Sequence, residues 1–256
     1  MLHVLTHRPS VNIQQCELTY IESEPIDFDK ALLQHRHYCQ MLTRCGAQVK
    51  VLKDNPELAD NVFVEDPIIV FDEVAVVSSM GVASRRAEIP TLENYFMPLR
   101  QIRTIELPAK IEGGDVLVIG RKVYVGQSSR TNQQGYEQLR DILTPFNYEV
   151  IAVPVSGCLH LKTGCCALDD TTLLVNSSWL DTDIFRDFQK IEVPKSEPFG
   201  SNIIAIGQTI CMNEQHVKTI QLVKEAGFNV ETVDISEFAK AEAGLTCMSV
   251  RYQQAE

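Results

Sequence analysis

The chain has 256 residues, 45% of them hydrophobic, with 34 acidic and 23 basic side chains and a formal net charge of −11. That balance excludes nucleic acid as a partner, which needs a basic stripe, and suits a small cationic molecule, although acidity alone also serves solubility. No apolar run reaches the roughly 18 residues of a membrane span, and no Pro- or Ser-rich linker divides the chain, so residues 1–256 are read as one α/β domain.

The first nine residues are too short and polar for a signal peptide and read as a strand ending at Pro9; a cytoplasmic setting is expected. The eight cysteines contain no C-x-x-C pair, so structural zinc is not expected, and in a reducing compartment neither are disulfides. An irregular loop covers residues 10–25. Asp27 is placed to cap a helix from Phe28 to about Arg44, with Phe28, Leu32, Cys39 and Leu42 on one side and Gly46 at its end. Residues 49–52 return as a strand, followed by a turn at Asp54, Asn55 and Pro56.

A β-hairpin comes next. Asp66 opens its first strand, Asp72 and Glu73 make the turn, and residues 74–77 return. Ser78 to Arg86 leads into a helix with Pro90 near its start and Leu92, Tyr95, Phe96 and Leu99 on its apolar face. Residues 102–107 form a strand. The pattern then repeats with Glu112-Gly113-Gly114-Asp115, a hairpin turning at Gly120-Arg121-Lys122, a Ser129-Arg130 lead and a helix carrying Tyr136, Leu139, Ile142 and Leu143. Tyr148 to Pro154 is a strand. A third hairpin follows His160 and a fourth follows Asn202. The third is expected to lead into a helix with Phe185 and Phe188, the fourth into one with Val217, Ile220 and Val223. Residues 228–233 are a strand and 236–241 a short helix. The last strand, after Cys247, is placed to pair with the first and complete a fifth unit. Spacings of roughly 40–50 residues are those of a repeat array or propeller, and joining the two chain ends would remove unpaired sheet edges.

Glu65-Asp66, Glu112, His160 and Cys247 occupy equivalent hairpin mouths and so point toward one axis. Each has an ordinary alternative: Cys247 and His160 as core residues, Arg85 as a solvated helix start. Together they make a nucleophile, a proton carrier and carboxylates suited to a planar cation. Carboxylates at a buried strand mouth need a partner, and a cation is the natural one. The reaction this set permits is attack by Cys247 on a guanidinium carbon. His160 protonates the departing amine and then activates water, with Glu112 orienting it. Asp66 grips the guanidinium nitrogens, and Arg85 with Arg130 takes a carboxylate.

Six segments carry a resemblance: Asp60-Asn61-Val62-Phe63-Val64-Glu65-Asp66, Ser84-Arg85-Arg86, Glu112-Gly113-Gly114-Asp115, Ser129-Arg130-Thr131-Asn132, Leu159-His160-Leu161-Lys162 and Leu245-Thr246-Cys247-Met248-Ser249. In this order and spacing the chain resembles the dimethylarginine dimethylaminohydrolases of the guanidino-modifying superfamily. The resemblance implies a five-bladed α/β propeller of ββαβ units, the pentein fold, acting as a single catalytic domain without cofactor or metal. It implies hydrolysis of Nω-methylated arginines to citrulline and a methylamine. It makes Cys247 the nucleophile, His160 the general acid/base and Glu112 its acidic partner. It assigns the guanidinium to Asp66 with the Glu65 segment, the amino end to Asp60, the α-carboxylate to Arg85 and Arg130, a lid to Leu18 and a backbone contact to Ala241. A homodimer is compatible with it, though no interface stripe stands out.

The chain departs from the family at Ser78-Ser79-Met80-Gly81, where many relatives read Thr-Arg-Pro-Gly, and at Ala241, often Val or Ile. Rival activities in the same fold are arginine or agmatine deiminase and amidinotransferase. Agmatine lacks the carboxylate that Arg85 and Arg130 would bind. A non-catalytic propeller binding protein would need neither Cys247 nor His160.

Overall fold

Five three-stranded sheets recur along the chain, each an antiparallel pair extended by a parallel strand. The computed structural model describes residues 1–53 and 55–254, so Asp54 of the predicted turn lies outside the described residues. The first sheet contains β1 (Leu2–His7), which crosses through α1 (Phe28–Arg44) to the parallel strand β2 (Gln48–Leu52). The second has the hairpin β3 (Ile68–Val70) and β4 (Val74–Val77), then α2 (Ile89–Phe96) and β5 (Gln101–Thr104). The third has β6 (Val116–Ile119), β7 (Lys122–Gln127), α3 (Gln133–Leu143) and β8 (Glu149–Pro154).

A single helical turn, α4 (Leu161–Gly164), precedes the fourth sheet of β9 (Cys165–Ala167), β10 (Thr172–Val175) and β11 (Gln189–Glu192). The fifth has β12 (Ile204–Ile206), β13 (Thr209–Asn213), α5 (Val217–Glu225) and β14 (Asn229–Val233). After α6 (Ser236–Ala239), β15 (Val250–Gln253) pairs antiparallel with β1, Leu2 opposite Gln253. The chain ends thus complete the first sheet, as expected.

The hydrophobic core shows how these sheets associate. Among the described residues it forms five clusters, and each joins two consecutive sheets. Leu5, Val250 and Tyr252 pack with Val64 and Ile68; Val74 and Val76 with Val123 and Leu139; Tyr124 and Leu117 with Leu173 and Phe185. Cys166 and Leu174 pack with Ile210 and Met212, and Ile204 and Cys211 with Val4 and Tyr38. The fifth contact closes the circle, so the sheets are the blades of a propeller and burial of apolar surface holds the ring shut. Among the described residues, no helix is long and apolar enough to cross a membrane.

Local departures from expectation have physical causes. Asp27 does cap α1, its carboxylate accepting the Lys30 amide at 3.0 Å. The fully buried face of α1, however, is Ala31, Gln34, His35, Tyr38, Met41 and Leu42, while Phe28, Leu32 and Cys39 are only half-buried at its margin, Phe28 and Cys39 still packing on the same cluster. Three of those buried residues are polar and carry partners: Gln34 on Asp234, His35 on Thr6, and Tyr38 on the Leu245 carbonyl. Hydropathy alone cannot flag such residues. The segment at Phe185 is a 3-10 turn, Thr182–Phe185, held by Asp181 accepting the Asp183 amide, and no α-helix forms there. Val217 is 66% exposed, because Thr219 and Val223 face the core. The strand expected over 102–107 ends at Thr104, and Leu107 is out in solvent.

Candidate active site

A short approach segment precedes the first hairpin strand of every blade. These segments place Asp66 before β3, Glu112 before β6, His160 before β9, Asn202 before β12 and Cys247 before β15. Hydrogen bonds run between them around the hub. Gly114 donates to Asp66 Oδ1 at 3.1 Å, Glu112 Oε2 lies 2.8 Å from His160 Nε2, and Asn202 donates to the Lys162 carbonyl at 3.0 Å. Thr246 donates its amide to Asn202 Oδ1 at 3.0 Å, and Glu65 donates its own to the Cys247 carbonyl at 3.2 Å. Every blade is therefore tied to the next by the residues beside the predicted catalytic groups.

The glycines after Glu112 are there for close approach. A Cβ on Gly114 would sit 2.4 Å from His160 Nδ1 and 2.9 Å from Asp66 Oδ1, so only a hydrogen fits between the imidazole and the strand mouth. Gly81, inside the divergent Ser78–Gly81 segment, donates its amide to Glu112 Oε1 at 2.8 Å. Met80 takes a left-handed φ of 52° to deliver that amide and is fully buried. This segment thus reaches the site through its backbone.

The electrostatics follow from burial and pairing. His160 is 3% exposed, Asp66 3% and Glu112 0%. Burial by itself pulls the imidazolium pKa down, but Asp66, Asp115 and Glu112 outweigh it and raise His160 to about 9. Burial raises the carboxylates of Glu112 and Asp66, yet His160 and the nearby arginines bring both below the ordinary range. The Cys247 thiol is pushed well up, first by burial and then by the charges of Glu65 and Asp66; the Gly244 amide, 3.4 Å from the sulfur, and Lys162 oppose this. The thiol form dominates at neutral pH, and a cation placed beside the sulfur would favour the thiolate.

The remaining predicted residues have definite partners. Arg85 lies inside a cage of three carboxylates, Asp66 at 2.7 Å, Glu88 at 2.9 Å and Asp60 at 3.9 Å, and also donates to the Phe63 carbonyl. Burial raises the Glu88 pKa to about 7, against the opposing charge of Arg85. Arg130 lies 3.4 Å from Glu112 and donates to Thr19 Oγ1 at 2.8 Å. Asp60 accepts the Glu17 amide at 3.2 Å, which brings the Leu18 segment over the site. Ala241 is buried at the end of α6, with its amide on the Phe238 carbonyl.

Glu65 sits differently from its neighbour Asp66. Its Oε1 accepts Lys162 Nζ at 2.6 Å and its Oε2 accepts the Thr246 hydroxyl at 2.8 Å, so the carboxylate is spent on joining the His160 and Cys247 segments. Asp115 was expected to need a cation. The charge of the His160 imidazolium supplies that cation, and Asp115 also accepts the Leu161 amide at 2.8 Å and the Ser128 hydroxyl at 2.6 Å, which fixes the residue after His160. Asn202, Glu88, Gly81 and Glu242 were not singled out as site residues. Asn202 was detectable, since it stands at the fourth hairpin mouth in register with the others.

Asp66, Glu112 and His160 present ligand atoms within 4.8 Å of one another, a spacing a divalent ion could bridge. Arg85 on Asp66 and Arg130 on Glu112 already place positive charge there, so the set suits proton transfer. A cavity of about 160 Å3 flanks the Cys247 segment at Gly244 and Leu245, bounded by Ile21 and Glu242; the acid–imidazole group does not line it.

Comparison with known proteins agrees with this geometry. A family model described as "N,N dimethylarginine dimethylhydrolase, eukaryotic" matches residues 10–209. The chain is 32% identical over 253 residues to the N(G),N(G)-dimethylarginine dimethylaminohydrolase of Pseudomonas aeruginosa, covering 98% of this chain and 99% of that one. It is 35% identical to the enzyme of the same name from Streptomyces coelicolor, covering 98% and 96%. A solved structure of the Pseudomonas aeruginosa protein, a cysteine-to-serine variant complexed with citrulline, superposes with a TM-score of 0.92 at 30% identity over 98% of both chains. With the blades, the hub motifs and near full-length similarity in accord, the chain belongs to the dimethylarginine dimethylaminohydrolase family.

Proposed function

We propose that this protein hydrolyses Nω-methylated arginine, dimethylarginine and monomethylarginine, to citrulline and a methylamine. The observation that carries the proposal is the buried pair His160–Glu112, 2.8 Å apart at the hub onto which the Cys247 segment also opens. Family membership supplies the substrate class.

In the sequence of steps we infer, the substrate guanidinium settles against Asp66, and its charge lowers the pKa of the Cys247 thiol, whose proton passes to solvent because His160 is already protonated. The thiolate attacks the guanidinium carbon to give a tetrahedral adduct. His160, protonated at neutral pH, gives its proton to the methylated nitrogen, and the methylamine leaves, so a covalent thiouronium remains on Cys247. The neutral imidazole then takes a proton from water, hydroxide adds to the same carbon, and the sulfur departs as a thiolate that takes up the hydroxyl proton, which leaves neutral citrulline, the Cys247 thiol and a protonated His160. Glu112 orients the ring and balances its charge at both stages. Arg130 and Arg85 hold the α-carboxylate, Asp60 the α-amino group, and the Leu18 segment and Ala241 close the amino-acid end. Glu65 holds the Cys247 and Lys162 segments together instead of touching the guanidinium.

The test is to incubate the purified protein with dimethylarginine, monomethylarginine, arginine and agmatine and to measure citrulline-type products and released amine. Turnover of the methylated arginines, abolished by Cys247→Ser with the fold intact, is the expected result. Turnover of agmatine alone would overturn the substrate assignment.

A further inference from the structure

The segment Glu17–Tyr20 is bonded to two residues of the site, Asp60 and Arg130, and the manner of its attachment identifies a residue that sequence motifs do not. Thr19 and Tyr20 are exposed, yet both backbone amides are hydrogen-bonded: the Glu242 carboxylate accepts Thr19 N at 2.7 Å and Tyr20 N at 3.1 Å. No other partner holds those two amides among the described residues. Glu242 lies five residues before Cys247, directly after Ala241, and adopts a left-handed φ of 57°, a conformation that disfavours a side chain other than glycine or asparagine. The backbone there is bent to aim the carboxylate at the segment. The other end of the segment is held by Asp60, which accepts the Glu17 amide.

Between these two attachments Thr19 Oγ1 accepts Arg130 NH2 at 2.8 Å, while Arg130 NH1 faces Glu112 at 3.4 Å. We infer that Glu242 is a positioning residue: it latches the Glu17–Tyr20 segment shut, and the latched segment sets Arg130 for the substrate's amino-acid end. The inference rests on the proposed function for its consequence in catalysis, but the latch is a property of the free protein. With Arg85, Arg130, Asp66, Glu112 and His160 all nearly buried, a substrate enters only when this segment lifts. The strength of the Glu242 contacts therefore governs how firmly a bound guanidine is retained.

The experiment compares the protein with its Glu242→Gly, Glu242→Gln and Thr19→Val variants. Glycine keeps the left-handed backbone without strain and removes only the carboxylate, so the fold is retained. Hydrogen exchange at the Thr19 and Tyr20 amides is expected to rise sharply in Glu242→Gly, with the blade strands unchanged, and to be intermediate in Glu242→Gln. Since each charge-assisted hydrogen bond is worth roughly a factor of ten, KM for dimethylarginine should rise about tenfold or more in Glu242→Gly, with a smaller change in kcat. Thr19→Val should raise KM while leaving the two amides protected.

Unchanged exchange in Glu242→Gly overturns the latch. Increased exchange with unaltered KM overturns its role in holding substrate. If the unmodified protein turns over another guanidine, the substrate assignment fails, and KM for that guanidine then tests the same claim.

Discussion

His160 Nε2 lies 2.8 Å from Glu112 Oε2, with the imidazole 3% exposed and the carboxylate fully buried. The opposite ring nitrogen is 3.9 Å from Asp66 Oδ1, so the imidazole stands between two acids. This arrangement is expected to keep His160 protonated at neutral pH and leads to the first prediction.

The His160 imidazolium is expected to titrate near 9, well above its ordinary 6.5. Because the folded-state pKa is raised, its contribution to stability is fully present below pH 6.5 and is lost as pH rises through about 9. Glu112→Gln should lower the imidazole pKa by about one unit or more and leave Arg130 less well neutralised. Ring-proton chemical shifts against pH measure the first effect, and denaturant unfolding between neutral and alkaline pH the second. A midpoint near 6.5 in the unmodified protein would contradict the proposed acid role.

Cys247 should behave as a neutral thiol in the free protein. Burial and the carboxylates of Glu65 and Asp66 hold its pKa well above the usual thiol value. Alkylation by a small haloacetamide should therefore be slow at neutral pH and accelerate when a guanidinium analogue occupies the site. Ultraviolet thiolate absorbance, with Cys247→Ser as the blank, reports the same event. A fully formed thiolate at neutral pH in the free protein would contradict this.

Gly114→Ala should inactivate the protein. The added methyl would sit 2.4 Å from His160 Nδ1, which is inside contact distance, so the ring must move from Glu112. Overpacking of a tight site costs about 1–3 kcal/mol of stability, and displacing the proposed general acid is expected to lower kcat by roughly a hundredfold or more. Folded but inactive protein, shown by circular dichroism and assay together, is the expected outcome.

Lys162→Met tests the joint beneath the site. It leaves the Glu65 carboxylate buried without its 2.6 Å partner, a loss expected to cost about 3–5 kcal/mol. The double variant with Glu65→Gln should recover part of that stability, since the uncompensated charge is gone. Urea melts of the single and double variants decide the point. A Lys162→Met protein as stable as the parent would show that the pair has no role in joining the segments.

Much of this molecule was legible in the linear chain. Local chemistry dictates the hairpins: Gly120 and Gly207 turn with left-handed φ, Asp27 and Asn132 cap helices, and alternating apolar runs make the strands. The repetition of that unit predicts a ring, and the position of Asp66, Glu112, His160 and Cys247 ahead of successive hairpins predicts a common centre. Those features depend on residues a few positions apart, and sequence records such neighbours directly.

Only tertiary structure decided what each polar group does once there. Glu65 and Asp66 are adjacent and identical in charge, yet one is consumed by Lys162 and Thr246 while the other faces His160. Asp115 binds an amide and a hydroxyl besides sensing the His160 imidazolium, and Gln34, His35 and Tyr38 are buried because partners up to 207 residues away satisfy them. Glu242 reaches Thr19 across 223 residues, and Gly81 contributes only its amide. A buried polar atom is stable wherever any geometry supplies its partner. Such pairings between distant segments leave no periodic trace in the chain, and they arise only when the propeller closes.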